Sequence, residues 1–237
     1  MSFLQRLIWI TFPVLIAGFV SISLPVPWVM AQQVDENISV YPIDSEPFGI
    51  PYAEWTGKWW KWALEAPTAR NPVSDVTGEN CAEGQEGPVW FLAGTFGGSA
   101  VRSCTIPADK AVLWNPISQE CSYAEFPALK TESDLRSCVR NFQDKVTDVE
   151  VTIDGMKLQN LSSYRIQSPL FNFTLPQDNV LALPEQTTTG VSDGIWVFLQ
   201  PLPPGNHQIQ SKGVSVDFTG PAVQNFVADV RYDLTVK

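Results

Sequence analysis

The chain has 237 residues, with 15 Lys and Arg against 25 Asp and Glu, one histidine and four cysteines, for a net charge of −10. That sign repels nucleic acid phosphates and anionic lipid headgroups, so nucleic acid is excluded as a partner and no membrane contact is expected beyond an N-terminal signal. A single histidine and no Cys-x-x-Cys pair exclude ordinary zinc spacing, and the length suits one domain with a sizeable core.

The first 31 residues carry no acid and one base, Arg6. An apolar run from Leu7 to Ile22, followed by "LPVPWVMA" with Val29 and Ala31 in the small-residue cleavage pattern, predicts a signal peptide over 1–31. The run approaches the roughly 18 to 20 residues of a bilayer span, so an uncleaved anchor is the competing reading; Pro13, Pro25 and Pro27 argue for cleavage. No cysteine lies near the cleavage point to carry a lipid. Cleavage leaves 206 residues with a net charge of −11 and all four cysteines. An even cysteine count behind a signal predicts two disulfides in an oxidising compartment, secreted or periplasmic at the cell envelope. Consecutive pairing, Cys81 with Cys104 and Cys121 with Cys138, closes loops of about 20 residues and keeps each crosslink within one local unit.

Residues 32–50 carry only acidic charges and no sustained period, and read as a flexible lead into a single β-rich domain over 51–237. From Pro51 to Pro67, "PYAEWTGKWWKWALEAP" places four of the nine tryptophans in eight positions. At 100° per residue Tyr52, Trp55, Trp59 and Trp62 fall within an arc of about 80°, and Glu54, Lys58, Lys61 and Glu65 fall on a separate narrow arc. This predicts a helix over about 52–65, apolar round half its surface and buried on more than one side. Each indole buries about 150 to 250 Å², a gross transfer free energy of about 4 to 6 kcal/mol before entropy. Anchoring therefore accounts for the cluster without a ligand. Trp60 lies off the common arc, and with Tyr52 it is the candidate for an exposed aromatic binding edge.

"TARNPVSDVTGENCAEGQEG" is a turn-rich acidic loop. "PVWFLAGTFGG" reads as a short buried strand, and "RSCTIPADKAVLWNPI" as two more strands joined at the Pro-Ala-Asp turn. A second helix is predicted over about 132–146, with Thr131 as N-cap, Asp134 in the capping-box position, and Leu135, Cys138, Val139, Phe142 and Val146 on one face. The rest reads as strands. "DVEVTIDGMKLQN" turns at Asp154-Gly155, a hairpin signal. "YRIQSPLFNFTL", "IWVFLQPL" and "HQIQSKGVSVDF" follow, and "FVADVRYDLTV" alternates apolar and polar faces. Period two with one polar face predicts antiparallel, half-solvated sheets. The fold class is therefore mainly β: an antiparallel sandwich, immunoglobulin-like or jelly-roll-like, with two inserted helices.

Together "WTGKWWKWA", "NPVSDVTGENC", "GPVWFLAGTFGG", "RSCTIPADKAVLW" and "PPGNHQI" resemble a group of uncharacterised exported bacterial and archaeal proteins with a tryptophan-rich helix near the mature N-terminus. The resemblance covers most of 51–237 and implies an exported domain of this build, with no assigned activity. "PPGNHQIQSKG" and the last strand also resemble the final hairpin of immunoglobulin-like sandwiches, a likeness of fold alone.

"GVSDG", residues 190–194, satisfies Gly-x-Ser-x-Gly, with His207 downstream. A nucleophile elbow needs a strand before the serine and a helix after it; here a strand follows, and the motif reads as a polar turn. His207 reads as a strand-start residue bonded to nearby backbone. In the acidic loop Asp75, Glu79, Glu83 and Glu86, with Asn71 and Asn80, offer hard oxygen ligands; the stretch reads first as a solvated acidic loop with no cofactor, and calcium held by Asp75, Glu79 and Glu83 is the alternative, although the spacing is not that of an EF-hand. Three functions fit these residues. The first is a non-enzymatic exported domain binding an envelope glycan or protein, with Tyr52, Trp60, Asp75 and Glu79 as binding candidates. The others are a secreted hydrolase using acids of the 75–86 loop, and a purely structural envelope protein. Nothing in the sequence sets the oligomeric state.

Overall fold

The computed structural model describes residues 38–217 and 224–237; the predicted signal peptide and residues 32–37 lie outside them. Two helices form where the periodicity places them, α1 over Tyr52–Glu65 and α2 over Glu132–Gln143. The free carbonyls at the end of α1 are met by a buried side chain: Asn71 Nδ2 donates to Ala63 O (2.7 Å) and Ala66 O (2.9 Å), while its Oδ1 accepts from Val73 N (2.9 Å). In α2 the capping box is complete, Thr131 accepting from the Asp134 amide and Asp134 from the Thr131 amide. The helix ends at Gln143, before the predicted Val146, because Val146 pairs with Ser215 and so opens a strand.

The strands are β1 (Val89–Phe91), β2 (Gly98–Ile106), β3 (Ala111–Ser122), β4 (Val146–Ile153), β5 (Met156–Lys157), β6 (Arg165–Gln167), β7 (Phe171–Leu175), β8 (Gln186–Leu199), β9 (Gly205–Asp217) and β10 (Gln224–Val236). They make two open five-stranded sheets. In the first the order is β1-β3-β8-β6, with β7 also paired to β8; in the second it is β2-β10-β9-β4-β5. Both are mixed rather than purely antiparallel: β1 runs parallel to β3, and β2 parallel to β10 from Gly98↔Ala228 to Ile106↔Val236. Alternation determines which face a residue occupies and is blind to strand direction. The Pro-Ala-Asp turn after β2 carries the chain from one sheet to the other, so β2 and β3 are consecutive without being paired. The Asp154-Gly155 turn does close a hairpin, with both residues at positive φ (50° and 79°) between Ile153 and Met156.

Between the sheets lies a core that includes Trp114, Ile195, Val197, Ile209, Val230, Tyr232 and Leu234. The outer face of the second sheet meets solvent, and β2 and β10 alternate accordingly. The first sheet is covered on both faces, since α1 packs its tryptophans against Phe173, Trp196 and Phe198. Hence β8 is buried continuously from Gly190 to Leu199 and shows no alternation. A third cluster, Cys121, Leu135, Val139 and Val191, seats α2.

The disulfides are Cys81–Cys104 and Cys121–Cys138, as consecutive pairing predicts, and they suit an oxidising, extracytoplasmic environment. Among the described residues no helix is long and apolar enough to cross a membrane. The described part of the expected flexible lead is instead docked. Val40 bridges Leu199, Tyr41 N donates to Phe198 O (2.7 Å), and the Tyr41 ring packs edge-on against Phe198 at 5.0 Å. Two apolar side chains and a sheet edge hold a segment whose acids face water.

Candidate functional site

Helix α1 is tied down by its polar ring atoms as well as by area. Trp59 Nε1 donates to Leu92 O (2.9 Å), Trp55 Nε1 to Pro47 O (3.0 Å), Trp62 Nε1 to Glu83 O (2.7 Å) and Tyr52 OH to Trp196 O (3.0 Å). Burial pushes the Tyr52 phenol well above its usual range, so it stays a neutral donor. The exposed aromatic edge expected of Tyr52 and Trp60 is not formed. Tyr52 is 1% exposed and Trp60 8%, its ring standing edge-on to Trp59 at 5.3 Å. Trp60 turns about 100° from its neighbour, but the cover extends that far round the helix.

What α1 leaves open is its charged stripe. Between that stripe and the loop before β1 runs a groove of about 720 Å³ lined by Trp55, Trp62 and Phe91, by Lys58, Lys61 and Glu65 of the helix, and by Arg70, Glu83 and Glu86 opposite. The Trp62–Glu83 hydrogen bond sets the loop against the helix, and Lys110 Nζ donates to Gly87 O (2.8 Å) to fasten its far end. Arg70 pairs with Glu83 at 3.0 Å and Lys61 with Glu65 at 3.8 Å. Lys58 makes no ion pair among the described residues and sits 5.7 Å from the Trp55 ring centroid. Three cations and three carboxylates thus meet beside aromatic rings.

None of the predicted binding residues lines this groove; Glu83, expected as a calcium ligand, does. Asp75 turns inward to organise its own loop, accepting from Thr77 N (2.8 Å), Thr77 Oγ1 (2.9 Å) and Asn80 N (2.8 Å). Burial raises its pKa, but these hydrogen bonds outweigh it and hold the carboxyl below the usual range. Glu79 is exposed, and Glu83 is committed to Arg70. Asp75, Glu79 and Glu83 are therefore not brought together as calcium ligands, and no three His, Cys, Asp or Glu side chains converge as a metal site among the described residues.

Beneath the loop lies a residue the sequence did not announce. Arg102 is 1% exposed and has no carboxylate partner among the described residues. It donates to the carbonyls of Val73, Asp75, Ala93 and Gly94 and to the Tyr232 hydroxyl, pinning two loops to the second sheet. Alternation places Arg102 on the inner face with Ala100, Cys104 and Ile106, but its carbonyl partners come from loops distant in sequence.

The Gly-x-Ser-x-Gly fragment is not a polar turn but the middle of β8, paired with β3 from Gly190↔Ser122 to Gly194↔Ser118. Ser192 and Asp193 consequently point to opposite faces. Asp193 is buried and accepts from Arg165 Nε (3.0 Å) and Nη2 (2.8 Å). His207 is in the other sheet, its Nδ1 on Asp154 Oδ2 (2.7 Å) and its Nε2 on Pro203 O (2.9 Å). Both ring nitrogens are engaged, so no serine–histidine pair exists, and the backbone bond expected of His207 is present.

Comparison with known protein families, curated proteins and solved structures finds no match to this chain.

Proposed function

We propose that this is an exported, non-enzymatic domain that binds a glycan or a protein partner at the cell envelope or outside it, through the groove beside α1. The groove itself carries the reading: aromatic rings, three cations and three carboxylates line one concave surface, with Lys61 and Arg70 held by Glu65 and Glu83 and Lys58 left without an ion pair among the described residues. Rings supply apolar faces, charged and carbonyl groups supply fixed hydrogen bonds, and few other places on a protein combine them in a concavity. Lys58 is the side chain best placed to receive an acidic group, since it has no carboxylate to release first. The predicted signal peptide, the two disulfides and the resemblance to exported tryptophan-helix proteins support placement outside the cytoplasm, in the periplasm or the medium. The test is retention of the purified domain on a glycan array and on isolated envelope material. Retention that weakens as salt rises is expected; no retention on either would remove the proposal.

A further inference from the structure

The carboxyl pair that matters in this protein is not in the acidic loop. By the antiparallel register Ser118, Glu120 and Ser122 of β3 share one face with Gly194, Ser192 and Gly190 of β8. Glycine at 190 is what admits the Glu120 carboxyl, since a Cβ there would lie 2.3 Å from Glu120 Oε1; one at 194 would lie 2.2 Å from Ser118 Cβ. After Ser122 the chain folds back over this face. Tyr123 N donates to Thr189 O (3.2 Å) and Ala124 N to Thr188 Oγ1 (3.1 Å), and Ser122 Oγ donates to Glu125 Oε2 (2.9 Å). The fold-back brings Glu125 into hydrogen-bonding contact with Glu120.

Two carboxyl groups in such contact need either a proton or a cation between them. Facing Glu120 are the Glu125 carboxyl from the fold-back, the Ser122 and Ser192 hydroxyls from its own and the next strand, and the Phe173 ring from β7. No lysine, arginine or histidine pairs with either acid among the described residues. Glu120 Oε1 and Ser192 Oγ are fully buried without a partner, and the Ser122 hydroxyl, which reaches both Glu120 and Glu125, has one proton to offer two carboxyl groups.

We propose that Glu120 and Glu125 are a proton-operated clasp: one shared proton holds the segment after Ser122 closed over β8, and its loss to solvent lets that segment open. Opening is local, because the Cys121–Cys138 disulfide ties down both ends of the segment. It would uncover Ser192, which is fully buried, and open further the half-buried Ser118 and Glu120. Burial and the neighbouring acid both hold Glu120 protonated above the ordinary glutamate range. The sign follows: the clasp is fully closed below the ordinary value of 4.5 and weakens as pH rises through the raised value of the folded state.

Hydrogen exchange across a pH series reads this directly at the Tyr123 and Ala124 amides. Their protection factors, corrected for the intrinsic rate, should be flat at acid pH and then fall about tenfold per pH unit, the slope of a single linked proton. Glu120→Gln keeps the shape and an N–H donor for Glu125, and should abolish the slope. Glu125→Gln, on the fold-back rather than in the sheet, should abolish it too and serves if the first variant does not fold. Protection independent of pH in the wild type, or an unchanged slope in either folded variant, would overturn the clasp.

Discussion

Replacing Trp59 by alanine removes a ring that is 2% exposed and stands edge-on to Trp60, Trp62 and Trp196 at centroid distances of 5.3, 5.8 and 5.5 Å. Truncating a buried tryptophan costs about 3 to 5 kcal/mol. The variant also leaves Leu92 O without its donor, a penalty of about 1 to 3 kcal/mol where water cannot enter. With partial relaxation of the cavity the expected loss is about 4 to 6 kcal/mol, comparable to the whole stability of many domains, and a fall in melting temperature of about 10 to 20 °C. Trp59→Phe keeps most of the ring and loses the N–H, so about 1 to 3 kcal/mol is expected. Trp60→Ala should cost about 3 to 5 kcal/mol, without the hydrogen-bond component, because its Nε1 has no partner. Far-ultraviolet circular dichroism in a denaturant series separates the three, since it does not depend on the fluorophore being removed. A Trp59→Ala variant within about 1 kcal/mol of wild type would refute the anchoring argument.

Arg102→Leu strands four carbonyls and the Tyr232 hydroxyl and should cost about 3 to 5 kcal/mol; limited proteolysis should then cut the 73–80 loop, and an intact loop would contradict its role as a pin. Replacing Cys121 and Cys138 together by serine opens a crosslink of sequence separation 17 and should lower stability by about 3 kcal/mol, read by thermal melting. Gly194→Ala drives a Cβ to within 2.7 Å of the Ser118 backbone Cα and should cost about 1 to 3 kcal/mol by denaturant titration.

Where one residue's environment is set by its near neighbours, the sequence was legible. Helix α1 follows from the spacing of its aromatic residues, the α2 start from Thr131 and Asp134, the β4–β5 turn from Asp154-Gly155, and the disulfides from loop closure. Legibility failed where a residue's surroundings come from distant chain. Gly190, Ser192 and Gly194 look like a turn until β3 lies beside them and its side chains fill the space the two glycines leave. Trp60 looks half-open because the helical wheel shows the arc it occupies and not how far the sheet and its neighbours wrap that arc. Asp75 looks like a free ligand because the amides that saturate it belong to a loop conformation no periodicity encodes. The groove was hidden for the same reason: Lys58 and Lys61 are a solvated stripe until the loop carrying Glu83 is laid against them.

The central claim is that α1 anchors the domain with its buried face and binds with its open one, and a single variant measured twice tests it. Lys58→Glu combined with Arg70→Glu reverses two cations of the groove wall, both on exposed residues. Its melting curve should stay within about 1 kcal/mol of wild type, because exposed charges and surface ion pairs contribute little. Retention on the glycan or envelope fraction that holds the wild type should be lost. A variant that folds normally and is retained as well as wild type would contradict the assignment of this groove.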